Sequence, residues 1–237
     1  MLPAFSIVIP CFNEEARVGR TLGLTLDYLA ANAPESELIV VNDGSTDATG
    51  AIAREKLESA RVTAHLLENF PNRGKGAAVR TGLLAARTPI GLFSDADLSS
   101  PLEETPKLIM PIANGEVDIA FGSRALDRSL IGVRQPWRRE QAGRVFNLLV
   151  RVATGLPFWD TQCGFKAFRM EACRPILESA QIEGFAFDVE LLYLANQAGL
   201  RIREVPVQWN HAEGSKVSFF RDSLRMLREV ITLRARA

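Results

Sequence analysis

The 237-residue chain is 47% hydrophobic and 24% charged, which supplies material for one substantial core and excludes a disordered chain. Its 28 basic and 28 acidic side chains cancel, so no global field recommends nucleic acid as a partner, and any basic surface must be local. Cys11, Cys163 and Cys173 are widely spaced, with only two histidines beside them, which argues against a zinc site and points to a reducing compartment.

FSIVIP (5–10) is a short β-rich run stopped by Pro10. Apolar residues then recur at helical spacing through RVGRTLGLTLDYLAANA, up to Pro34. ELIVVNDGS reads as a second strand ending at Asp43-Gly44, and Ser45-Thr46-Asp47 can cap a helix over TGAIAREKLES. VTAHLLEN is a third strand, GKGAAVRTGLLAAR opens on glycines and continues as a helix, and IGLFSDAD is a fourth strand. This βαβαβαβ rhythm predicts an α/β fold with a mostly parallel central sheet and helices on both faces. The second half is less regular. A helix over PLEETPKLIMPIANG and a strand over DIAFGSR precede a polar, basic stretch, 125–138, that reads as a mobile loop. FNLLVRVATG is a helix, FKAFRM a strand, FAFDVELLYLANQAG a helix and RIREVPVQW the last strand. No repeat or linker divides the chain, so a single domain over 1–237 is expected. No run reaches the length of a transmembrane helix, and MLPAFSIVIP lacks the basic lead and cleavage site of a signal peptide.

Ligands of open α/β sheets bind beyond the carboxyl ends of the strands. Polar residues gather there: PCFNEE after the first strand, Asn42-Asp43-Gly44 after the second, Asp95-Ala96-Asp97 after the fourth, and Gly122-Ser123-Arg124 after the next. Each alone is ordinary turn chemistry; four at one edge are harder to assign to turns. Asp95 and Asp97 would repel each other unless something positive lies beside them. Oxygen ligands with room for water and phosphate suit Mg²⁺ or Mn²⁺, the alternative being a solvated turn or a helix cap. NFPNRGKGAAVRTG is not a P-loop, because Asn69 replaces the first glycine and Gly76 follows Lys75. Lys75 can still meet a phosphate or ribose, or sit exposed at a helix N-terminus.

IVIPCFNEE, VNDGSTD, RGKGAAVRTG and DAD, in this order and spacing, resemble the family 2 glycosyltransferases of the GT-A fold. More narrowly, DTQCGFKAF (160–168), FAFDVELLYLA (185–195) and EGSKV (213–217) are similar to the dolichyl-phosphate β-glucosyltransferases and related polyprenyl-phosphate sugar synthases. The resemblance implies inverting transfer of a sugar from a nucleotide diphosphate, with UDP-glucose the leading donor, to polyprenyl or dolichyl phosphate. It implies that Pro10, Phe12, Asn13, Glu14 and Asp43 line the nucleoside pocket, Asp43 accepting from a uracil N–H, with Lys75 also on the donor. Asp95 and Asp97 would hold the ribose–diphosphate–metal group, Asp97 as the direct ligand of Mg²⁺ or Mn²⁺, and Arg124 would meet phosphate. Arg134, Arg138, Arg139 and Lys166, with Arg124, form the pool of acceptor-phosphate ligands. Asp188 and Glu190 of FDVE stand where hydroxyl-glycosylating relatives carry a base. Two residues apart on a helix do not share a face, so one of them, Asp188, is expected in the site, orienting a cation or the sugar.

The tail SKVSFFRDSLRMLREVITLRARA places Phe220, Leu224, Leu227 and Ile231 on one helical stripe, flanked by Val217 and Val230, with Arg221, Arg225 and Arg228 beside it. A basic amphipathic helix within 211–237, lying in an anionic membrane interface, fits this pattern; so does a terminal helix packed on the core. Trp137 and Phe219 are further candidates for lipid contact. The expected enzyme is peripheral on the cytoplasmic face of a membrane, with a separate membrane protein as a conceivable anchor and no nucleic-acid partner. The rivals are a GDP-mannose-dependent polyprenyl-phosphate mannosyltransferase and a non-catalytic nucleotide-sugar or lipid-binding module. A sugar-1-phosphate nucleotidyltransferase would want a glycine- and arginine-rich loop where PCFNEE stands.

Overall fold

The computed structural model describes residues 1–133, 135–211 and 219–236. Seven strands, β1 (Ser6–Cys11), β2 (Glu37–Asp43), β3 (Thr63–Asn69), β4 (Ile90–Ser94), β5 (Ile119–Ser123), β6 (Phe165–Arg169) and β7 (Ile202–Pro206), form one sheet in the order β3-β2-β1-β4-β6-β5-β7. All neighbours pair parallel except β6, which runs antiparallel to both β4 and β5. The mostly parallel sheet matches expectation. Strand β1 alternates between two cores, Val8 facing one side and Ile7 and Ile9 the other. Helices α1 (Val18–Asn32), α2 (Thr49–Glu58) and α4 (Thr105–Ala113) supply Leu22, Leu29, Ala53 and Leu108 to one core. The opposite core takes Leu83 of α3 (Lys75–Ala85), Val150 of α5 (Trp137–Thr154), Leu177 of α6 (Met170–Ser179) and Val189 of α7 (Phe187–Gln197). With both faces covered, β1, β2, β4 and β5 are buried almost throughout.

Three elements differ from the sequence reading. Helix α6 follows β6 directly and carries Pro175 inside it, a residue that masks the helical pattern. Residues 128–133, within the stretch expected as a mobile loop, carry regular backbone pairing. A 3₁₀ turn spans Arg128–Leu130, and Ile131 bridges Trp209. Trp209 N–H donates to Leu130 O at 3.2 Å, Gly132 N–H to Trp209 O at 3.1 Å, and His211 N–H to Val133 O at 3.0 Å. These partners are remote in sequence, so local polarity gave no sign of them. Helix α5 also begins at Trp137, well before the FNLLVRVATG segment that shows clear periodicity.

Helix α8 (Phe219–Arg236) turns Met226, Val230 and Leu233 into the core. That is a different face from the stripe expected to meet lipid: Leu227 is half-buried beside it and Ile231 is exposed. Arg225 and Arg228 are exposed. Val217 and the side chains of Phe219, Phe220, Arg221 and Leu224 lie outside the described residues. Among the described residues no helix is long and apolar enough to cross a membrane.

Candidate active site

Because β6 runs against its neighbours, its first residues stand at the edge where β1, β2, β4 and β5 end. Segment 160–164 is thereby brought beside Asp95 and Arg124. Asp95 N–H donates to Gly164 O at 3.1 Å. The missing side chain of Gly164 makes room for the Asp95 carboxylate, which a Cβ there would overlap. Asp95 Oδ1 lies 2.6 Å from Lys75 Nζ. The glycines of RGKG place that lysine, the first residue of α3. Gly76 N–H donates to Glu183 O at 2.8 Å, and a Cβ at Gly76 would stand 2.6 Å from both Ile182 O and Phe187 Cβ. Burial pulls the Lys75 ammonium down, but Asp95, Asp188 and Asp97 more than offset it, and the net direction is up. The chain thus carries its own counter-charge for the aspartate pair.

Asp97 is only partly buried, and its Oδ1 accepts from Ser99 N–H at 2.9 Å. The turn is tight: Leu98 N–H donates to Asp95 O at 3.1 Å, and Leu98 holds φ 47°, a conformation unfavourable for its side chain. Asp97 also lines a cavity of about 580 Å³ against α1. Among the described residues no cluster of three or more His, Cys, Asp or Glu could hold a metal ion. A divalent cation here would take its remaining ligands from diphosphate and water, which suits Mg²⁺ or Mn²⁺. Asp97, with an accessible carboxylate, fits such an ion; Asp95 is committed to Lys75. Gly164→Ala is expected to push the Asp95 carboxylate off Lys75 and lower turnover about 10²-fold, on the order of the cost of an ångström-scale misplacement. A kcat/KM measurement checks this, and unchanged activity would show that the cradle is dispensable.

The first strand's exit is lashed to the second's. Asn13, at φ 53°, donates its N–H to Ser45 Oγ at 2.9 Å and accepts from Thr46 N–H at 2.8 Å. Glu14 N–H donates to Thr49 Oγ1 at 2.7 Å, and the Glu14 carboxylate pairs with Arg17 at 2.8 Å. Pro10 and Phe12 flank this corner, Phe12 with an exposed ring. The buried Asp43 carboxylate accepts from Asn69 Nδ2 at 2.8 Å, Asn72 Nδ2 at 2.8 Å and Gly74 N–H at 2.7 Å. Asp43 therefore shapes the 69–74 loop that leads into Lys75, and a uracil N–H would have to compete with these donors.

Arg124 forms a forked ion pair with buried Asp160, Nε to Oδ2 and Nη2 to Oδ1, both at 2.7 Å. Asp160 is fixed in turn by Glu204, whose Oε1 accepts from Asp160 N–H at 2.8 Å. Burial raises the Asp160 carboxyl, but Arg124 outweighs it and the net direction is down. Arg124 borders a cavity of about 490 Å³ whose walls carry Arg128, Arg144, Arg151, Trp159 and Trp209. Four arginines face two carboxylates there, Glu140 and Asp160, leaving an excess of two positive charges for an anionic guest. Of these residues only Arg124 is in the expected pool. Arg144 and Arg151 are seven apart, hence on one helical face, and that spacing was the available signal.

Lys166 does not belong to the pool. It points into the core with no exposed surface, its Nζ 2.7 Å from Asp188 Oδ1, donating to Cys163 O at 2.5 Å. The rings of Phe93 and Phe121 lie 5.4 and 5.7 Å from that nitrogen. Both faces of the sheet are covered, so the alternation of FKAFR turns the lysine inward. Asp188 is buried; desolvation raises its carboxyl, opposed by Lys166 and Lys75. Its partner is the buried Lys166 ammonium, whereas Glu190 turns away to accept from Gln181 and Ile182 N–H at 2.9 and 2.8 Å. Arg134 lies outside the described residues, as do the side chains of Arg138 and Arg139 in the first turn of α5.

The carboxyl edge of this α/β sheet thus gathers paired aspartates, a lysine and an arginine-lined cavity, a setting suited to a phosphate-bearing ligand. Residues 6–177 match Glycosyl transferase family 2, and the chain belongs to that family. The dolichyl-phosphate beta-glucosyltransferase of Drosophila melanogaster is 38% identical over 96% of this chain and 73% of its own length. That of Homo sapiens is 36% identical over 98% and 75%. Glucosyl-3-phosphoglycerate synthase from Mycobacterium tuberculosis, in complex with Mn²⁺, UDP and phosphoglyceric acid, superposes with a TM-score of 0.71 at 23% identity. The match covers 99% of this chain and 78% of that one, and shows the common GT-A fold.

Proposed function

We propose that the chain is an inverting glucosyltransferase that moves glucose from UDP-glucose to a polyprenyl phosphate such as dolichyl phosphate. The names of the relatives support the sugar and the acceptor, and the arginine-lined cavity beside the carboxylate edge is the observation that carries the reading. Tryptophans 159 and 209, with Ile131 and Leu148, give that cavity apolar walls suited to the first isoprene units of a lipid phosphate.

Pro10, Phe12, Asn13, Glu14 and the loop held by Asp43 receive the nucleoside. Asp97 would hold the divalent cation, Mg²⁺ or Mn²⁺, which when bound neutralises the leaving diphosphate. Lys75 keeps Asp95 in place beside it. On the acceptor side, a phosphate monoester with its second pKa near about 6 is already ionised at neutral pH. Its oxygen can attack the sugar C1 without giving a proton to the enzyme, so positioning and cations suffice. Asp188, sealed in the core against Lys166, is correspondingly a positioning residue. Arg124, aimed by Asp160, and Arg128, Arg144 and Arg151 supply the positive field.

The enzyme acts, in this reading, peripherally at the cytoplasmic face of a membrane; the three buried, widely spaced cysteines suit a reducing compartment. Radiolabelled UDP-glucose and GDP-mannose, each offered with Mn²⁺ and a long-chain polyprenyl phosphate, test the assignment. Lipid-linked glucose is expected. Lipid-linked mannose without glucose would establish the rival donor, and nucleotide binding without any transfer would establish a binding module.

A further inference from the structure

Helix α5 is apolar on two opposite sides. Phe146 and Val150 enter the core, yet Val145, Leu148 and Val152 are 58, 57 and 72% exposed, with Leu149 exposed beside them. The spacing from Val145 to Leu148, Leu149 and Val152 is that of a helix face packed against something. Trp137, 69% exposed at the start of the helix, continues the same stripe through Gln141, giving it a length of roughly 22 Å. Isolated exposed apolar residues need no explanation; a contiguous stripe of this kind marks an interaction surface.

Two observations say what covers it. The first is charge. Exposed Arg144 borders the stripe on α5 and exposed Arg128 faces it across the cavity. Arg151 lies 3.8 Å over the ring of Trp159, itself 55% exposed, in the amphipathic pairing of a cation and an aromatic found at a membrane–water boundary. The second is continuity. Leu148 of the stripe and Arg144 at its border also line the cavity wall, so the cavity opens on the stripe. A lipid phosphate held in that cavity would send its hydrocarbon chain out along Leu148.

We propose that the outer face of α5, from Trp137 to Val152, docks the enzyme on an anionic lipid bilayer, with the apolar stripe entering the interface and the arginines meeting headgroup phosphates. This surface differs from the C-terminal helix, where Met226, Val230 and Leu233 enter the core and Ile231 alone of the described apolar side chains is exposed. The proposal deepens the lipid-phosphate reading and rests on it for its biological sense. Its test is independent, because vesicle binding is measured with neither donor nor acceptor present.

The full chain is sedimented with vesicles of phosphatidylcholine alone and of equal parts phosphatidylcholine and phosphatidylglycerol. Binding to the anionic vesicles is expected, weakening in high salt. The double variant Val145→Glu, Val152→Glu, at positions outside the cavity wall, is expected to lower the partition coefficient about tenfold or more while leaving the thermal midpoint unchanged. Failure of the wild-type chain to bind anionic vesicles would overturn the proposal, and that measurement does not depend on the variant folding. Equal binding by the variant would overturn it too. So would a wild-type dimer in solution that the variant converts to monomer, because the face would then be a contact between copies.

Discussion

Asp97→Asn is expected to reduce kcat/KM for glucose transfer about 10³-fold, a loss of about 4 kcal/mol of transition-state stabilisation. The substitution is chosen because it separates charge from shape. The Asp97 Oδ1 that accepts from Ser99 N–H has a direct counterpart in the asparagine amide oxygen, so the 95–99 turn should survive. What disappears is the negative charge that would hold a divalent cation. A thermal melt of the variant without ligands should therefore match the wild type, while the stabilisation by UDP that depends on Mn²⁺ should vanish. Asp95→Asn would be a less clean experiment, because it also removes the ion-pair partner of Lys75. Retention of both turnover and the Mn²⁺-dependent UDP shift in Asp97→Asn would remove Asp97 from the metal site.

The first half of the fold is legible because its determinants are local. β1 through β4 and their helices each carry their own period, and residues at the ends of successive parallel strands must meet at one edge. Asp95, Asp97, Lys75 and Arg124 could be placed together on that ground alone. What the sequence hid depends on one reversal. Nothing in FKAFR says that it runs antiparallel between β4 and β5, yet that direction brings Asp160 to Arg124 and Gly164 to Asp95. The DTQCGF motif was visible as a resemblance; its physical roles were not. Lys166 was misplaced for a related reason: a lysine alternating with apolar residues reads as solvent-facing, and only the covered sheet makes it a core residue. Helix α5 presents the converse ambiguity. With apolar residues on two sides, its sequence cannot say which side the core takes.

The buried lysine yields the largest expected effect on stability. Lys166→Met should destabilise the fold by about 3–5 kcal/mol, because it strands the Asp188 carboxylate in the core without its partner 2.7 Å away. For a domain of this size that corresponds to a fall in Tm of roughly 6–20 °C. Asp188→Leu should cost a comparable amount by stranding the ammonium, which would keep only the Cys163 carbonyl and the faces of Phe93 and Phe121. The two losses should not add. With both charges gone, neither group needs compensation, and Lys166→Met combined with Asp188→Leu should regain most of the stability, since a buried pair offsets its own desolvation only partly. Thermal melts of the four proteins close the cycle. A double variant as unstable as the sum of the singles would mean that Lys166 and Asp188 act independently. Singles that melt within a few degrees of the wild type would mean that water reaches the pair.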